Sequence, residues 1–435
     1  MRTLSKDVAA NIDQQVTVQG WLHKKRKLGG LNFINLRDRS GLVQILIEDK
    51  TEVEKLRGMQ IGTVLEITGK VVADERAFGG AEIHEPNITI LVPVTDEPPI
   101  EIDKPISHKS EHLDTLFEHR NISMRNVHET AIFKLRHTML REIREFFHNN
   151  EFTEIQTPKI QGGASEGGAE VFKFDYYGKE ATLAQSPQLY KQALVGAFER
   201  VFEIGQAYRA ELSATTRHLA ELTMLDMEMG FIDSHNDVLE MTQKMVHTVL
   251  TNLYEAEAEK LKMLRAPELV IKPEFPRFSV AEIHKMYSDA TGEDTTKEKD
   301  LIPAEERWIC EYATKELGCE LVFATDFPIE AAKFYHMIDE EKGTVMWGDL
   351  LFRGVEIATV PMREHRYDKL VQQMKNAGAN PEDPFFAHYL SAFKYGLPPH
   401  GGFGFGLDRF LQLIVGLNNV KEATLYPRDI NRLAP

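Results

Sequence analysis

The stretch GGFGFGLDR, residues 401–409, decides the architecture of this chain, together with YRAE, residues 208–211, far upstream. Glycine lets a backbone approach a ligand closely, and the helical pattern after the glycines puts Arg409 at the start of a helix. Arginine suits phosphate because it is always charged and offers a planar fork of donors. The two stretches predict a glycine-lined nucleotide site with Arg209 and Arg409, in a chain that has no G-x-x-x-x-G-K-[ST] phosphate loop.

The composition is that of an ordinary folded protein and argues against a wholly electrostatic nucleic-acid binder. The 435 residues are too many for one simple core, so we expect two or three domains. The net charge is −16, but residues 1–95 hold 13 basic and 12 acidic residues and carry none of that excess. There is no basic-then-apolar leader and no apolar run of membrane-spanning length, so the expected location is the cytoplasm, without a membrane.

The first hundred residues predict a small β-barrel. Residues 16–94 contain six β-branched runs with period-two alternation: VTVQGWL, LNFINLRD, LVQILIE, TVLEITGKVV, AEIHE and ITILVPV. About five strands in this length favour an OB-fold, a barrel that binds single-stranded nucleic acid. The basic run of residues 24–27 lies in this segment and is either a solvated loop or a phosphate-contacting surface. Prolines mark a linker over residues 96–120.

The remaining residues, 121–435, predict a mixed helix and strand domain. Residues 126–149 have helical periodicity, and helical stretches in residues 232–330 predict an insertion. Two strands, VFEIGQAYRAE and TMLDMEMGF, enclose a long loop. Asp349 and Glu356 are seven residues apart, so a bulge or a turn at Arg353-Gly354 must intervene if their side chains are to share a site. Otherwise they are two unrelated acids.

The order of these motifs resembles class II aminoacyl-tRNA synthetases, which bind ATP on an antiparallel sheet. The stretches SEGGAEVF, AQSPQLYKQ, REHRYD and KYGLPPHGGFGFG resemble, nearly end to end, the aspartyl branch of the short archaeal-like type. The resemblance implies an α+β fold: an OB-fold anticodon-binding domain over residues 1–95, then a class II catalytic domain over residues 121–435. It also implies a homodimer, with the helix of residues 126–149 at its interface. The alternative is that this helix packs on its own domain.

The resemblance also implies the residues of an ATP, Mg²⁺ and L-aspartate site. ATP would be held by Arg209, Glu211, Arg217, His218, Glu356, Gly404, Gly406 and Arg409, of which Arg209 and Arg409 are the catalytic candidates. Mg²⁺ would be held by Asp349 and Glu356, because hard oxygen ligands suit that ion. L-Aspartate would be held by Lys191 and Arg363 at its carboxylates, with Asp226 nearby, and by Glu166, Ser186 and Gln188 at its amino end.

The anticodon loop of tRNA would contact the barrel at His23, Lys24, Lys25, Arg26, Phe33 and Phe78. A histidine at position 23 resembles the relaxed form that charges tRNA-Asn as well as tRNA-Asp, whereas Phe78 stands where that form often has proline. The expected partners are therefore tRNA-Asp, with tRNA-Asn as a second candidate, and L-aspartate.

Two departures from the family pattern flank the amino-acid pocket. Val360-Pro361-Met362 replaces Gly-Gly-Gln, and Trp347-Gly348 replaces Ser-Phe. If these side chains face the substrate, aspartate should bind weakly or a less polar acidic amino acid should compete. If they face the core, specificity is unchanged. The alternatives are an asparaginyl enzyme or a paralogue of other specificity, and a tRNA-binding protein without catalysis, which the intact Arg209 and Arg409 oppose.

Overall fold

The structure is a computed structural model that describes residues 2–28, 31–104, 110–164, 170–212 and 215–435. It divides into two compact units, Met1–Thr130 and Ala131–Pro435. None of the described helices is long and apolar enough to cross a membrane.

The first unit is built on a closed barrel in the order β1-β2-β3-β5-β4. Its strands are β1 (Gln15–Leu28), β2 (Leu31–Arg37), β3 (Leu42–Ile47), β4 (Val64–Ala73) and β5 (Ala81–Val92). Its helices are α1 (Lys50–Lys55), α2 (Ser110–Glu118) and α3 (Arg120–Ser123). Alternate residues of β4, such as Leu65 and Ile67, are buried in the barrel core, as the period-two pattern predicts.

Two details of the barrel differ from the sequence prediction. The runs AEIHE and ITILVPV form one strand, β5, because Glu85, with a φ of 48°, and Pro86 sit at a register shift that does not end the pairing with β4. The basic run of residues 24–27 is part of β1 and pairs with β2, so it is not a loop.

The second unit is built on a nine-stranded sheet among the described residues. The strands of the whole unit are β6 (Thr153–Glu154), β7 (Ile160–Gln161), β8 (Lys173–Tyr176), β9 (Lys179–Leu183), β10 (Arg200–Tyr208), β11 (Glu221–Gly230), β12 (Arg277–Ser279), β13 (Leu321–Pro328), β14 (Ile338–Asp339), β15 (Thr344–Phe352), β16 (Val355–Pro361) and β17 (His400–Gly406). The sheet order is β12-β13-β15-β16-β17-β11-β10-β6, with β14 beside β15, and β7, β9 and β8 form a separate small sheet. The central pairs are antiparallel, and the two outermost pairs are parallel.

Helices of the second unit pack on both faces of this sheet, with α8 and α9 on the opposite face of β13 and β15 from α4, α6 and α12. They are α4 (Val127–Asn149), α5 (Gln188–Phe198), α6 (His235–Ala256), α7 (Ala258–Leu264), α8 (Val280–Thr291), α9 (Pro303–Tyr312), α10 (Tyr367–Asn376), α11 (Pro384–Lys394) and α12 (Leu407–Val415). Leu225, Met227, Phe403 and Phe405 of the sheet pack with α4, α6 and α12 in one apolar cluster. The segment of residues 232–330 contains helices α6 to α9, but it also supplies β12 and the whole of β13 to the main sheet.

The other face of the sheet carries glycines and polar side chains at its centre. A Cβ atom at Gly402 would lie 1.9 Å from the carbonyl oxygen of Met227, so β17 can lie this close to β11 only with glycine there. Gly404 and Gly406 follow on the same face and leave open space above the strand. This face holds the candidate site.

Candidate active site

A cavity of about 380 Å³ opens on the polar face of the sheet in the second unit. The sequence candidates that line it are Ser186, Gln188, Arg209, Glu211, Arg217, His218, Asp226, Glu356, Arg363, Gly404, Gly406 and Arg409. These residues come from stretches far apart in the sequence, and the antiparallel order of β10, β11, β17 and β16 brings them together. Glu166 lies outside the described residues.

One end of the cavity carries the residues of the loop between β10 and β11. Arg209 follows the last residue of β10, and its guanidinium lies 3.8 Å from Glu211. His218 lies 3.3 Å from the other oxygen of Glu211. Arg217 lies 3.2 Å from Glu306 of helix α9. The two arginines therefore stand over the same end of the cavity, each beside a carboxylate that balances its charge.

Arg409 lies in the first turn of α12, as the sequence predicts, and one of its Nη atoms donates to the carbonyl oxygen of Glu356 at 3.1 Å. The preceding residue, Asp408, anchors this turn. Its carboxylate accepts from the backbone N–H of Thr223 at 2.7 Å and pairs with Arg136 of helix α4. These two contacts of Asp408 hold the start of α12 against β11. They therefore also fix the direction in which Arg409 points.

The two metal candidates, Asp349 and Glu356, lie on the two strands of the β15–β16 hairpin. Arg353 and Gly354 form its turn with φ values of 51° and 78°, the primed-turn geometry of tight hairpins. The predicted turn is confirmed, and a register shift follows it before Asp349 pairs with Thr359. Burial raises the pKa of Asp349 well above its ordinary value, and the nearby carboxylate of Glu356 raises it further.

This carboxylate pair fits a magnesium ion. Two acids whose charges repel each other are stabilised by a divalent cation between them, and Mg²⁺ is usually held by one or two carboxylates together with substrate phosphates. Across the described part of the chain, no group of three or more His, Cys, Asp and Glu side chains could hold a metal without such help. Glu356 lines the cavity, while Asp349 lies behind it, 7% exposed.

The opposite end of the cavity lies above a buried network of four charges. The ammonium of Lys191 contacts Asp226 at 2.8 Å and the carbonyl oxygen of Phe403 at 2.7 Å. The guanidinium of Arg363 makes two hydrogen bonds to Glu228, at 2.9 and 3.2 Å. Arg363 lines the cavity, whereas Lys191 is buried and is not among the residues that line it. Both cations named from the sequence are thus paired with buried acids.

A chain of hydrogen bonds fixes the amide of Gln188 beside this network. Its Nε2 donates to Oε1 of Gln192 at 3.0 Å, and Tyr389 donates to the same oxygen at 3.1 Å. Burial lowers the pKa of His400 to about 4, so its ring is neutral, with Nδ1 donating to Pro398 and Nε2 accepting from Gln192. Because Nε2 of Gln188 is engaged, its Oε1 is the atom left to face the cavity as an acceptor.

The two sequence departures divide between the faces of the sheet. Val360 and Met362 are two residues apart on one side and pack in the apolar cluster with α4, α6 and α12. Pro361 points the other way and lines the cavity. Trp347 is buried in a second apolar cluster and stacks on Phe327. Of the residues that depart from the family pattern at these two places, Pro361 alone lines the cavity.

Sequence reasoning missed several residues of the site. Lys333, Tyr335 and His336 line the cavity from the segment after β13. Gln185 also lines it, and its Oε1 is buried without a hydrogen-bond partner among the described residues, so it is ready to accept from a ligand. Glu228 could have been found, because it follows Asp226 by two residues on β11 and so shares its face.

The anticodon candidates lie in the first unit, and their exposure differs. His23 is only 5% exposed, and burial together with Arg37 lowers its pKa to about 4. Lys25 donates to the carbonyl oxygen of Met59, and Lys24, Arg26 and Phe33 lie on β1 and β2. Phe78 is 48% exposed, between β4 and β5. The burial of His23 means that it would act through its neighbours and not by stacking on a base; the contact itself stays a prediction.

A closed five-stranded barrel, and an antiparallel sheet that carries arginines at both ends of a glycine floor, define the class II type of tRNA synthetase. The family of class II tRNA synthetases (D, K and N) matches residues 112–430, and the OB-fold nucleic acid binding domain matches residues 16–91. The chain belongs to that class II family. The predicted OB-fold and α+β class are confirmed.

Individual relatives cover all or nearly all of the chain. It is 38% identical to the Aspartate--tRNA(Asp/Asn) ligase of Thermus thermophilus over 100% of both chains. It is also 38% identical to the Aspartate--tRNA(Asp) ligase of Pyrococcus abyssi, over 97% of this chain and 96% of that one. Among solved structures, the asparaginyl-tRNA synthetase of Pyrococcus horikoshii complexed with asparaginyl-adenylate covers 100% of both chains with a TM-score of 0.91 at 28% identity. The aspartyl-tRNA synthetase of Entamoeba histolytica has a TM-score of 0.87 at 26% identity, over 100% of this chain and 93% of that one.

Proposed function

We propose that this chain activates L-aspartate with ATP and transfers it to the 3′ end of tRNA-Asp, and also of tRNA-Asn. The main support for the proposal is a single cavity whose two ends carry different charged groups. Arginines at one end suit a triphosphate, and a paired cation network at the other suits an acidic amino acid. The names of the full-length relatives support aspartate as the amino acid, and both tRNA ranges occur among them.

In the first step, an oxygen of the aspartate α-carboxylate forms a bond to the α-phosphorus of ATP, and the bond from that phosphorus to pyrophosphate breaks. Arg209 stabilises the negative charge that develops on the α-phosphate. Arg217 and Arg409 hold the distal phosphates, and Gly404 gives the nucleotide room against the sheet. Asp349 and Glu356 would hold Mg²⁺, which neutralises phosphate charge when bound. In the second step, a hydroxyl of the terminal tRNA ribose attacks the activated carbonyl, and AMP leaves.

Aspartate is recognised by charge and by hydrogen-bond direction. The guanidinium of Arg363 faces the cavity and can share its donors between Glu228 and a substrate carboxylate. The free oxygens of Gln185 and Gln188 are acceptors, which suit the α-ammonium group. Asparagine would offer the cation network a neutral amide in place of a carboxylate. This difference favours aspartate.

The partners that we propose follow from the same reasoning. The barrel binds the anticodon loop, with Lys24, Arg26 and Phe78 as exposed or half-exposed contacts. Helix α4 and the edge strand β6 border a cleft that includes Arg144, and we assign to it the interface of a homodimer. The reaction needs tRNA and ATP, so we place the enzyme in the cytoplasm.

The test is amino-acid-dependent exchange of pyrophosphate into ATP, measured with the purified chain and each of the twenty amino acids. We expect exchange with L-aspartate to exceed that with every other amino acid. Exchange with asparagine alone would replace the proposal by an asparaginyl activity. No exchange with any amino acid, by folded protein in the presence of Mg²⁺, would leave a tRNA-binding protein without catalysis.

A further inference from the structure

Trp347 donates a hydrogen bond to one of the proposed metal ligands. Its indole Nε1 donates to Oδ1 of Asp349 at 2.7 Å, and both side chains are buried. The two residues are separated by Gly348 on β15, so their side chains leave the strand on the same face. Trp347, which departs from the family pattern, therefore contacts a residue that we assign to the metal site.

The indole is held firmly in this position. Its ring stacks on Phe327 with 4.0 Å between centroids and 6° between planes, and the ring of His336 lies 5.3 Å away on the cavity side. Val345 and Leu351 pack in the same cluster. Because the ring cannot turn without losing this packing, the direction of its N–H group is set by the core and not by the carboxylate.

The bond decides how Asp349 can bind a cation. The indole engages Oδ1 of Asp349, and the Thr359 hydroxyl also hydrogen-bonds this carboxylate, so a metal would reach it through a single oxygen. Mg²⁺ demands near-octahedral geometry with short single-oxygen contacts, whereas Ca²⁺ accepts both oxygens of one carboxylate and a looser shell. A donor on Oδ1 of Asp349 therefore favours the smaller ion. Groups that orient metal ligands typically change metal affinity by roughly 10–100-fold when they are removed.

We propose that Trp347 is a positioning residue that orients Asp349 for single-oxygen binding of the Mg²⁺ ion that accompanies ATP. The inference rests on the proposed function, in which Asp349 is a metal ligand. It assigns a role to Trp347 in the magnesium affinity of the enzyme and in its preference for Mg²⁺ over Ca²⁺.

The test removes the N–H group and keeps the ring. Trp347→Phe can still stack on Phe327, and the metal affinity of the full chain with ATP is measured by the electron paramagnetic resonance signal of free Mn²⁺, with Mg²⁺ and Ca²⁺ as competitors. We expect the dissociation constant for Mn²⁺ to rise roughly 10-fold or more, and the advantage of Mg²⁺ over Ca²⁺ to shrink. A role in packing alone would lower thermal stability and leave both quantities unchanged.

Two controls separate the inference from the proposed function. Trp308→Phe makes the same chemical change at an indole stacked on Tyr312, outside the carboxylate pair, and should leave metal affinity unchanged. Asp349→Asn should lose most of it. If Asp349→Asn binds Mn²⁺ like the parent, the metal assignment is wrong. Suppose instead that Asp349→Asn loses Mn²⁺ affinity while the dissociation constant of Trp347→Phe stays within about twofold of that of the parent, against the roughly 10-fold rise expected. In that case the role of Trp347 is overturned and the metal site stands.

A second measurement tests whether the metal binds beside the indole of Trp347, and it can be made even if Trp347→Phe does not fold. In the double variant Trp21→Phe/Trp308→Phe, the indole of Trp347 is the remaining tryptophan of the chain. Mn²⁺ is paramagnetic and quenches a fluorophore close to it, so Mn²⁺ added with ATP should quench this emission, and Mg²⁺ should compete. Emission that does not respond to Mn²⁺ under saturating ATP would contradict the inference.

Discussion

Replacement of Glu228 by glutamine removes one charge from the buried network under the cavity and keeps the shape of the side chain. The Glu228 side chain has no exposed surface, and it accepts both hydrogen bonds from Arg363. Burial opposes its ionisation, but the guanidinium of Arg363 and the ammonium of Lys191 outweigh burial and hold the pKa of Glu228 below its ordinary value. In Glu228→Gln, the guanidinium stays buried and loses the negative charge of Glu228 beside it.

The expected cost follows from the burial of the pair. Removal of one partner from a buried ion pair typically destabilises a protein by about 3–5 kcal/mol, because the remaining charge has lost both water and its partner. The pair of Glu340 and Lys369 provides the matched control, since its side chains are 62% and 52% exposed. Exposed pairs contribute about 0–1 kcal/mol. Glu228→Gln should therefore cost about 3 kcal/mol or more, and Glu340→Gln less than about 1 kcal/mol.

The assay is urea unfolding of both variants at pH 7, followed by tryptophan fluorescence, combined with pyrophosphate-exchange kinetics. Because Glu228 orients Arg363, the KM for aspartate should rise in Glu228→Gln while the KM for ATP stays near that of the parent. Two results would contradict this role of Glu228. One is a loss of stability no larger than that of Glu340→Gln. The other is an unchanged KM for aspartate, which would mean that Arg363 does not depend on its buried partner.

Three further predictions concern the nucleotide end and the acid stability of the second unit. Arg209→Ala should lower the exchange rate by roughly 10²–10³-fold with the fold intact, and near-parental exchange would exclude its proposed role. Glu306→Gln releases Arg217 from a half-buried ion pair of about 0.2–1 kcal/mol, so the KM for ATP should fall, and a rise would contradict this. Burial lowers the pKa of His235 to about 4. The unfolded chain therefore binds the proton first below pH 6.5, and stability should drop by about 2 kcal/mol for this group between pH 7 and pH 5. Urea unfolding of the parent and of His235→Gln at pH 7 and pH 5 tests this. The free energy of unfolding should fall less in the variant, and an equal fall in the variant and the parent would contradict the role of His235.

Local patterns were sufficient to predict the main elements of the fold. Period-two alternation located the barrel strands, and the seven-residue spacing of Asp349 and Glu356 required the turn that the structure has at Arg353-Gly354. The two arginine stretches shared a recognisable chemistry, so their meeting in one cavity could be expected despite their distance in sequence.

Other parts of the site depend on packing that alternation does not reveal. Alternation requires Val360 and Met362 to share a face and Pro361 to take the other, but it does not tell which face is the cavity. Glu306 meets Arg217 because helix α9 packs beside the loop, 89 residues along the chain. The indole bond from Trp347 to Asp349 depends on a ring orientation that Phe327 sets from another strand. No periodicity in the sequence encodes these contacts.

The central claim is that this cavity activates aspartate for transfer to tRNA. The most direct measurement is aminoacylation by the purified chain with ATP and Mg²⁺, in which labelled aspartate and labelled asparagine are each offered to tRNA-Asp and tRNA-Asn transcripts. We expect aspartate to become attached to tRNA-Asp and, at a comparable rate, to tRNA-Asn, and asparagine to be attached to neither. Attachment of asparagine, or no attachment of aspartate to tRNA-Asp by a protein that binds ATP, would contradict it.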